Sequence, residues 1–113
     1  MYFIDTSYLL ALELANDQNH QAAQSHWKSL LMSAPALVTT SYVLSETITY
    51  LNSRSYHTRA IRVGNSLLSS PSVQFVHVDE SLFYAGWNYF QQHQDKTYSL
   101  TDCISFIVMQ QYN

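Results

Sequence analysis

Three short runs of β-branched and aromatic residues, separated by long amphipathic segments, most constrain what this chain can fold into. They cover residues 2–5, 36–39 and 73–78, and their composition is typical of buried strands. Two segments with helical spacing of apolar residues follow each run. Because parallel strands need crossover connections between them, this order predicts an α/β protein with a three-stranded parallel sheet flanked by about six helices.

The six helical segments differ in how apolar they are. Most carry a single apolar face, which predicts helices that pack on the sheet by one side. The last segment is apolar on nearly every side, so we expect that helix to be buried on most of its surface. The predicted helices cover residues 6–16, 20–34, 41–53, 58–70, 79–94 and 99–112.

The composition excludes several classes of protein. With two glycines among 113 residues, the chain lacks the turn residues that a hairpin-rich all-β fold requires. Its 47% hydrophobic content and net charge of −3 argue against disorder, and a single cysteine cannot form an internal disulfide. No apolar run approaches the ~20 residues that cross a membrane, and no signal peptide precedes the first apolar run. We therefore expect one cytoplasmic domain spanning residues 1–113.

Three of the eight acidic residues occupy positions that parallel strands bring to one edge of a sheet. Asp5 ends the first strand, Glu46 lies in the helix after the second, and Asp102 lies near the start of the last helix. Carboxylates that converge repel one another unless a divalent cation joins them, and oxygen ligands suit magnesium or manganese. Each acid also has a structural interpretation: Asp5 as a helix cap, Ser99 with Asp102 as a capping box, and Glu46 as a surface residue. Both interpretations stay open on this evidence.

Three segments together resemble the PIN domain family, and specifically its small VapC-type toxin nucleases. They are residues 2–7 (YFIDTS), 41–47 (SYVLSET) and 95–106 (DKTYSLTDCISF). The resemblance implies a magnesium- or manganese-dependent endoribonuclease in which Asp5, Glu46 and Asp102 are the catalytic metal ligands. Such ions activate water and neutralise the charge that develops on a phosphodiester.

The resemblance implies further residues and partners. Ser7 would orient the carboxylate of Asp5 or a metal-bound water, and Asp95 matches an acid that is frequent in the family before the last motif. An RNA substrate and a cognate antitoxin protein are the implied partners. The two Trp, nine Tyr and five Phe exceed what one small core needs, which favours an interface in a homodimer or with an antitoxin segment.

A small basic cluster is the only other group of note. It consists of Arg54, Arg59 and Arg62, which form either a solvated face or a site that guides RNA phosphates. The five histidines show no metal-ligand spacing, and Cys103 is expected to behave as a small apolar residue.

The sequence also departs from the family's pattern. PIN domains usually continue into a fourth strand that ends in another acid, followed by a helix and a strand. The resemblance therefore predicts a domain that lacks this C-terminal portion, and a first strand whose outer edge is uncovered.

A second hypothesis about function follows from this departure: a catalytically impaired PIN-like protein that acts through protein–protein contacts. A third, a receiver-like or flavodoxin-like binding domain, shares the parallel sheet, but the chain has no Gly-rich phosphate loop.

Overall fold

The computed structural model of the chain describes residues 1–112 and has the predicted alternation of strands and helices. These residues form three strands: β1 (Tyr2–Phe3), β2 (Leu37–Thr40) and β3 (Val73–Val76). The strands lie in the order β1-β2-β3 and both pairs are parallel, which confirms the predicted α/β sheet. Asn113, the last residue of the predicted domain, lies outside the described residues.

The described chain also contains six helices, two after each strand as predicted. None of them is long and apolar enough to cross a membrane. Their bounds are α1 (Thr6–Glu13), α2 (His20–Ser33), α3 (Ser41–Ser53), α4 (His57–Ser69), α5 (Glu80–Gln92) and α6 (Leu100–Gln111).

The outer strands are each two residues shorter than predicted, and β2 lies one residue later. The reason is clearest for β3. Val76 pairs with Thr40, the last residue of β2, so the backbone beyond Val76 has no strand to pair with. Val78 instead donates its N–H to the hydroxyl of Ser41 at 2.9 Å, which ties the end of β3 to the start of α3.

Short polar side chains start four of the helices. Asp5, Thr40, Asp79 and Ser99 each accept a hydrogen bond from the backbone N–H three residues further along, at the start of α1, α3, α5 and α6. Such caps satisfy amides that a helix leaves unpaired at its N-terminus. The predicted caps at Asp5 and Ser99 are therefore present.

The core has one part on each face of the sheet, because side chains alternate along a strand. Leu37 of β2 joins a cluster with residues of α1, α3 and α4, whereas Val38 packs with Leu82, Ile104 and Val108 of α5 and α6. The expectation that the last helix is buried on most sides is only partly correct. α6 buries Cys103, Ile104, Ser105 and Val108, but its residues from Met109 onward are exposed.

β1 is an edge strand in the described part of the chain, as predicted. Its one neighbour there is β2, and Tyr2 is 53% exposed. Met109 and Tyr112 from the end of α6 approach the same region and line a cavity of about 360 Å³ with residues 1–3.

Candidate active site

Asp5 lies directly after β1 and combines a capping role with an exposed carboxylate. Its Oδ1 accepts a hydrogen bond from the N–H of Tyr8 at 2.9 Å, and its Oδ2 accepts one from the hydroxyl of Ser7 at 3.3 Å. A carboxylate oxygen has two lone pairs, so each oxygen can accept a further interaction from the solvent side. Between these residues, the buried hydroxyl of Thr6 has no hydrogen-bond partner, which leaves one polar group beside Asp5 unsatisfied.

Asp102 lies in the first turn of α6, where a capping box holds it. Its Oδ2 accepts from the N–H of Ser99 at 3.0 Å, and its own N–H donates to the hydroxyl of Ser99 at 3.0 Å. The side chain of Asp102 is exposed, and its Oδ1 takes no part in the box.

The next residue, Cys103, is fully buried. Burial, and secondarily the charge of Asp102, raise the pKa of its thiol, so the thiol stays neutral and matches the predicted apolar role.

Glu46 lies in the second turn of α3, on the exposed face of that helix. It lines an open groove of about 670 Å³ together with Thr101 of α6, the residue before Asp102. The groove therefore brings Glu46 next to the helix turn that carries Asp102. The other residues that line it are Ser41, Tyr42, Ser45, Thr49, Tyr50 and Ser53.

Asp5 directly follows β1, Glu46 lies in the helix that follows β2, and the start of α6 reaches the groove of Glu46 through Thr101. The hydroxyl of Thr39 donates to the carbonyl of Ile4 at 2.8 Å, which holds the end of β1 against the end of β2. Within residues 1–112, no group of three or more His, Cys, Asp or Glu side chains lies close enough to hold a metal ion. Magnesium usually takes one or two protein carboxylates, several waters and substrate phosphates, so separate exposed carboxylates fit its donor preference.

Of the two predicted supporting residues, Ser7 contacts a predicted ligand, whereas Asp95 lies in a loop. The hydroxyl of Ser7 donates a hydrogen bond to the carboxylate of Asp5, as described above. Asp95 lies in the exposed loop between α5 and α6, where its Oδ2 is 3.9 Å from the Nζ of Lys96. A pair at that distance and exposure contributes little to stability.

The three arginines of the predicted basic cluster make different contacts. The guanidinium of Arg54 lies over the ring of Tyr50, 4.8 Å from its centroid, next to the groove that holds Glu46. Arg59 and Arg62 instead approach the end of α1. Arg59 donates from Nη1 to the carbonyl of Glu13 at 2.8 Å, and Nη2 of Arg62 is 3.8 Å from Oε1 of the same residue.

Two groups of aromatic residues lie on and beside α5 and α6, one exposed and one half-buried. The rings of Trp87 and Phe90 stack 5.7 Å apart on α5, and both residues are about 40% exposed, which leaves an apolar patch of the kind expected at an interface. A second cluster fills the space between α5 and α6 and supports the loop that leads to Ser99. It consists of Tyr89, His93, Tyr98 and Phe106.

The helical wheel of α3 places Glu46 beside Tyr42, Thr49 and Tyr50, but sequence reasoning missed the longer rows to which these residues belong. The exposed face of α3 carries two rows of residues four positions apart, and residues at that spacing are neighbours on a helix. The spacing is visible in the printed sequence and could have been found there. One row is Ser41, Ser45, Thr49 and Ser53, and the other is Tyr42, Glu46, Tyr50 and Arg54.

Comparison with known proteins gives consistent matches over nearly the whole chain. The profile of the PIN domain family matches residues 2–113. A 23S rRNA-specific endonuclease, VapC20, from two strains of Mycobacterium tuberculosis (CDC 1551 / Oshkosh and ATCC 25618 / H37Rv), is 37% identical over 109 residues, which is 96% of this chain and 80% of each relative. The crystal structure of M. tuberculosis VapC20, described as a toxin that cleaves the sarcin–ricin loop, superposes with a TM-score of 0.87 at 34% identity and covers 99% of this chain and 83% of that one.

Proposed function

This chain belongs to the PIN domain family, and from that premise we propose that it is an endoribonuclease of the VapC toxin type. The main support is its likeness to a 23S rRNA-specific endonuclease, which covers 96% of the chain at 37% identity. The exposed carboxylates at the carboxyl end of the parallel sheet add a chemical reason, since that end is where α/β folds place their sites.

In this proposal Asp5, Glu46 and Asp102 hold magnesium or manganese. A bound ion would activate water and neutralise charge on the scissile phosphate. The chain's own contribution is to hold the carboxylates in place. Ser7 and the N–H of Tyr8 orient Asp5, the capping box orients Asp102, and α3 presents Glu46 in the groove. Asp95 is assigned a supporting role outside direct metal contact.

Substrate and partners follow from the same proposal. Arg54, Arg59 and Arg62 are candidates for contacts with RNA phosphates, which fix the position of a strand without reading its sequence. A ribosomal RNA loop is the first substrate to test, because the relatives are named for activity on 23S rRNA and its sarcin–ricin loop. We also propose a cytoplasmic location, a cognate antitoxin and a homodimer as partners, with the exposed ring pair on α5 as support for a protein contact.

The test is cleavage of a sarcin–ricin loop RNA hairpin by the purified chain, with magnesium and with a chelator. We expect cleavage that needs the metal and is lost in Asp5→Asn, Glu46→Gln and Asp102→Asn. The matched control is Asp79→Asn. Asp79 caps α5 with the same geometry by which Asp5 caps α1, accepting from the N–H of Leu82 at 2.8 Å, and it is not a proposed ligand.

The alternative, in which the acids serve only as caps and the protein acts through protein contacts, makes a different prediction. Cleavage would then be absent, and magnesium would leave the thermal stability of the wild-type chain unchanged. RNA cleavage that survives Asp102→Asn would also overturn the proposed site.

A further inference from the structure

The groove that holds Glu46 extends well beyond that residue along α3. Its lining runs from Ser41 at the first position of the helix to Ser53 at the last. Tyr42 and Tyr50 are eight residues apart, which places the two rings roughly 12 Å apart along the helix axis, one on each side of Glu46. A linear ligand seated at Glu46 would therefore meet an aromatic ring in both directions.

The lining chemistry is suited to a nucleic acid strand. Five of the eight residues that line the groove carry aliphatic hydroxyls, and the other three are two tyrosines and a glutamate. Hydroxyl side chains contact phosphate and sugar oxygens, and aromatic side chains stack on unpaired bases. Within residues 1–112, the lining of this groove includes no aliphatic hydrocarbon side chain such as Leu, Ile or Val.

A second cavity in the described chain differs from the groove in the types of residue that line it. It has a volume of about 410 Å³ between α1, α2 and α4, and many of the residues around it are aliphatic or aromatic, among them Leu9, Leu12 and Trp27. Such a lining suits an apolar protein segment.

Among the described residues, the groove has no basic residue in its lining, and Arg54 lies beside it, over one of the rings that line it. Its guanidinium lies 4.8 Å from the centroid of the Tyr50 ring, in the row that also contains Glu46. A guanidinium over an aromatic face gives a flat surface that can stack on a base and also bind a phosphate. Tyr50 is 37% exposed, so its ring is accessible to a ligand.

We propose that the Tyr50–Arg54 pair is a binding subsite for a nucleotide that flanks the cleaved bond, in a single-stranded RNA segment lying along α3. This inference rests on the proposed function and adds to it the direction of the strand and the residues that hold it. Tyr50 and Arg54 act on binding, since neither is a proposed metal ligand.

The test measures binding of a short fluorescein-labelled single-stranded RNA by anisotropy, in the Asp5→Asn background so that the RNA stays intact. Tyr50→Leu should weaken binding at least about 5-fold, the lower end of what one base–aromatic stack contributes, and Tyr50→Phe should restore it. Arg54→Gln should weaken binding and lower the slope of affinity against salt by about one counterion. In the Asp5-containing chain, Tyr50→Leu should raise KM and leave kcat within about twofold.

The chain offers a matched control in Tyr56 and Arg59. These residues form a second exposed stack, with the guanidinium 5.0 Å from the ring centroid and Tyr56 42% exposed, but Tyr56, unlike Tyr50, does not line the groove. Tyr56→Leu should weaken RNA binding much less than Tyr50→Leu, because Arg59 keeps its charge and its contact with Glu13. Tyr42 is less suitable as a test, because it packs against the core and its loss would affect folding.

The outcomes separate this inference from the proposed function. If the wild-type chain neither binds nor cleaves RNA, both are overturned. If the wild-type chain cleaves RNA while Tyr50→Leu binds as tightly, or while Tyr56→Leu weakens binding equally, the inference alone is overturned. It is also overturned if Tyr50→Leu keeps its RNA affinity but changes the oligomeric state in sedimentation, since the groove would then belong to a protein interface.

Discussion

Ser99 and Asp102 bind each other in both directions at the start of α6: each side chain accepts a hydrogen bond from the other residue's backbone N–H at 3.0 Å. The box uses Oδ2 of Asp102, so Oδ1 stays available on the solvent side. One residue thus stabilises the helix and keeps a carboxylate oxygen free for a further interaction. The structural and functional interpretations of Asp102 are therefore compatible.

Removal of the Ser99 hydroxyl should affect both roles. Ser99→Ala deletes the acceptor for the Asp102 N–H, and loss of such a cap costs about 1 kcal/mol. In a domain of this size we expect the midpoint of thermal unfolding to fall by about 4 °C, measured by circular dichroism. Ser99→Thr keeps a hydroxyl and should stay close to wild type. An unchanged midpoint for Ser99→Ala would show that the box does not hold in solution.

Asp5 allows its capping role to be separated from its charge. Asn is as good an N-cap as Asp, so Asp5→Asn should unfold near the wild-type temperature without metal, whereas Asp5→Ala should lose about 1 kcal/mol. If Asp5 is a metal ligand, both variants should also lose the stabilisation that magnesium gives the wild-type chain. Thermal unfolding with and without magnesium measures both effects. A magnesium shift that persists in Asp5→Asn would remove Asp5 from the ligand set.

The two glycines of the chain should respond in opposite ways to substitution by alanine. A Cβ at Gly86 of α5 would collide with Cγ1 of Ile104, a buried residue of α6, whereas a Cβ at Gly64 of α4 would lie 3.9 Å from its nearest neighbour, a Leu44 side-chain carbon. Overpacking costs about 1–3 kcal/mol, and Ala is favoured over Gly in a helix by about 1 kcal/mol. Gly64→Ala should therefore stabilise the protein, and Gly86→Ala should destabilise it.

Urea unfolding of the two alanine variants tests this difference. The double variant Gly86→Ala with Ile104→Ala removes the colliding atom, so its loss of stability should be smaller than the sum of the two single losses. Additive losses would show that the two helices do not pack as closely as the structure indicates.

Gly86 also illustrates what sequence reasoning can and cannot predict. Its position on the apolar stripe of a helix follows from the spacing of Leu82, Phe83 and Phe90 alone. That it faces Ile104 depends on how α5 and α6 pack, which the spacing within one helix does not contain. The order of elements is a local property of the chain and was predictable, whereas the end of β3 depends on where the neighbouring strand β2 stops.

The candidate site divides in the same way. Asp5 and Asp102 were predictable because each stands next to a local signal, a strand end or a capping serine. Glu46 lies on the polar face of its helix, and periodicity alone would predict an ordinary surface residue. Its place in the helix after the second strand put it at the same sheet edge as the other two acids, and the resemblance to PIN domains then implied a ligand role. The groove that it shares with Thr101 forms only when α3 and α6 come together.

Arg59 and Arg62 approach the same residue of α1 but should contribute unequally to stability. Arg59 is half-buried and donates to the carbonyl of Glu13, the last residue of α1, at 2.8 Å, so it satisfies one of the acceptors that a helix leaves unpaired at its end. The ion pair of Arg62 with Glu13 is longer, 3.8 Å, and the arginine side chain is 66% exposed. Exposed pairs of that kind contribute at most a few tenths of a kcal/mol.

Arg59→Gln should therefore lower the free energy of unfolding by about 1 kcal/mol, because it removes a charged donor from a part-buried carbonyl. Arg62→Gln should change it by less than about 0.5 kcal/mol, and high salt should reduce even that difference. Urea unfolding of both variants at low and high salt makes the comparison. Equal losses at the two positions would mean that the contact of Arg59 with α1 does not persist in solution, and the arginine would then be free to bind RNA phosphates.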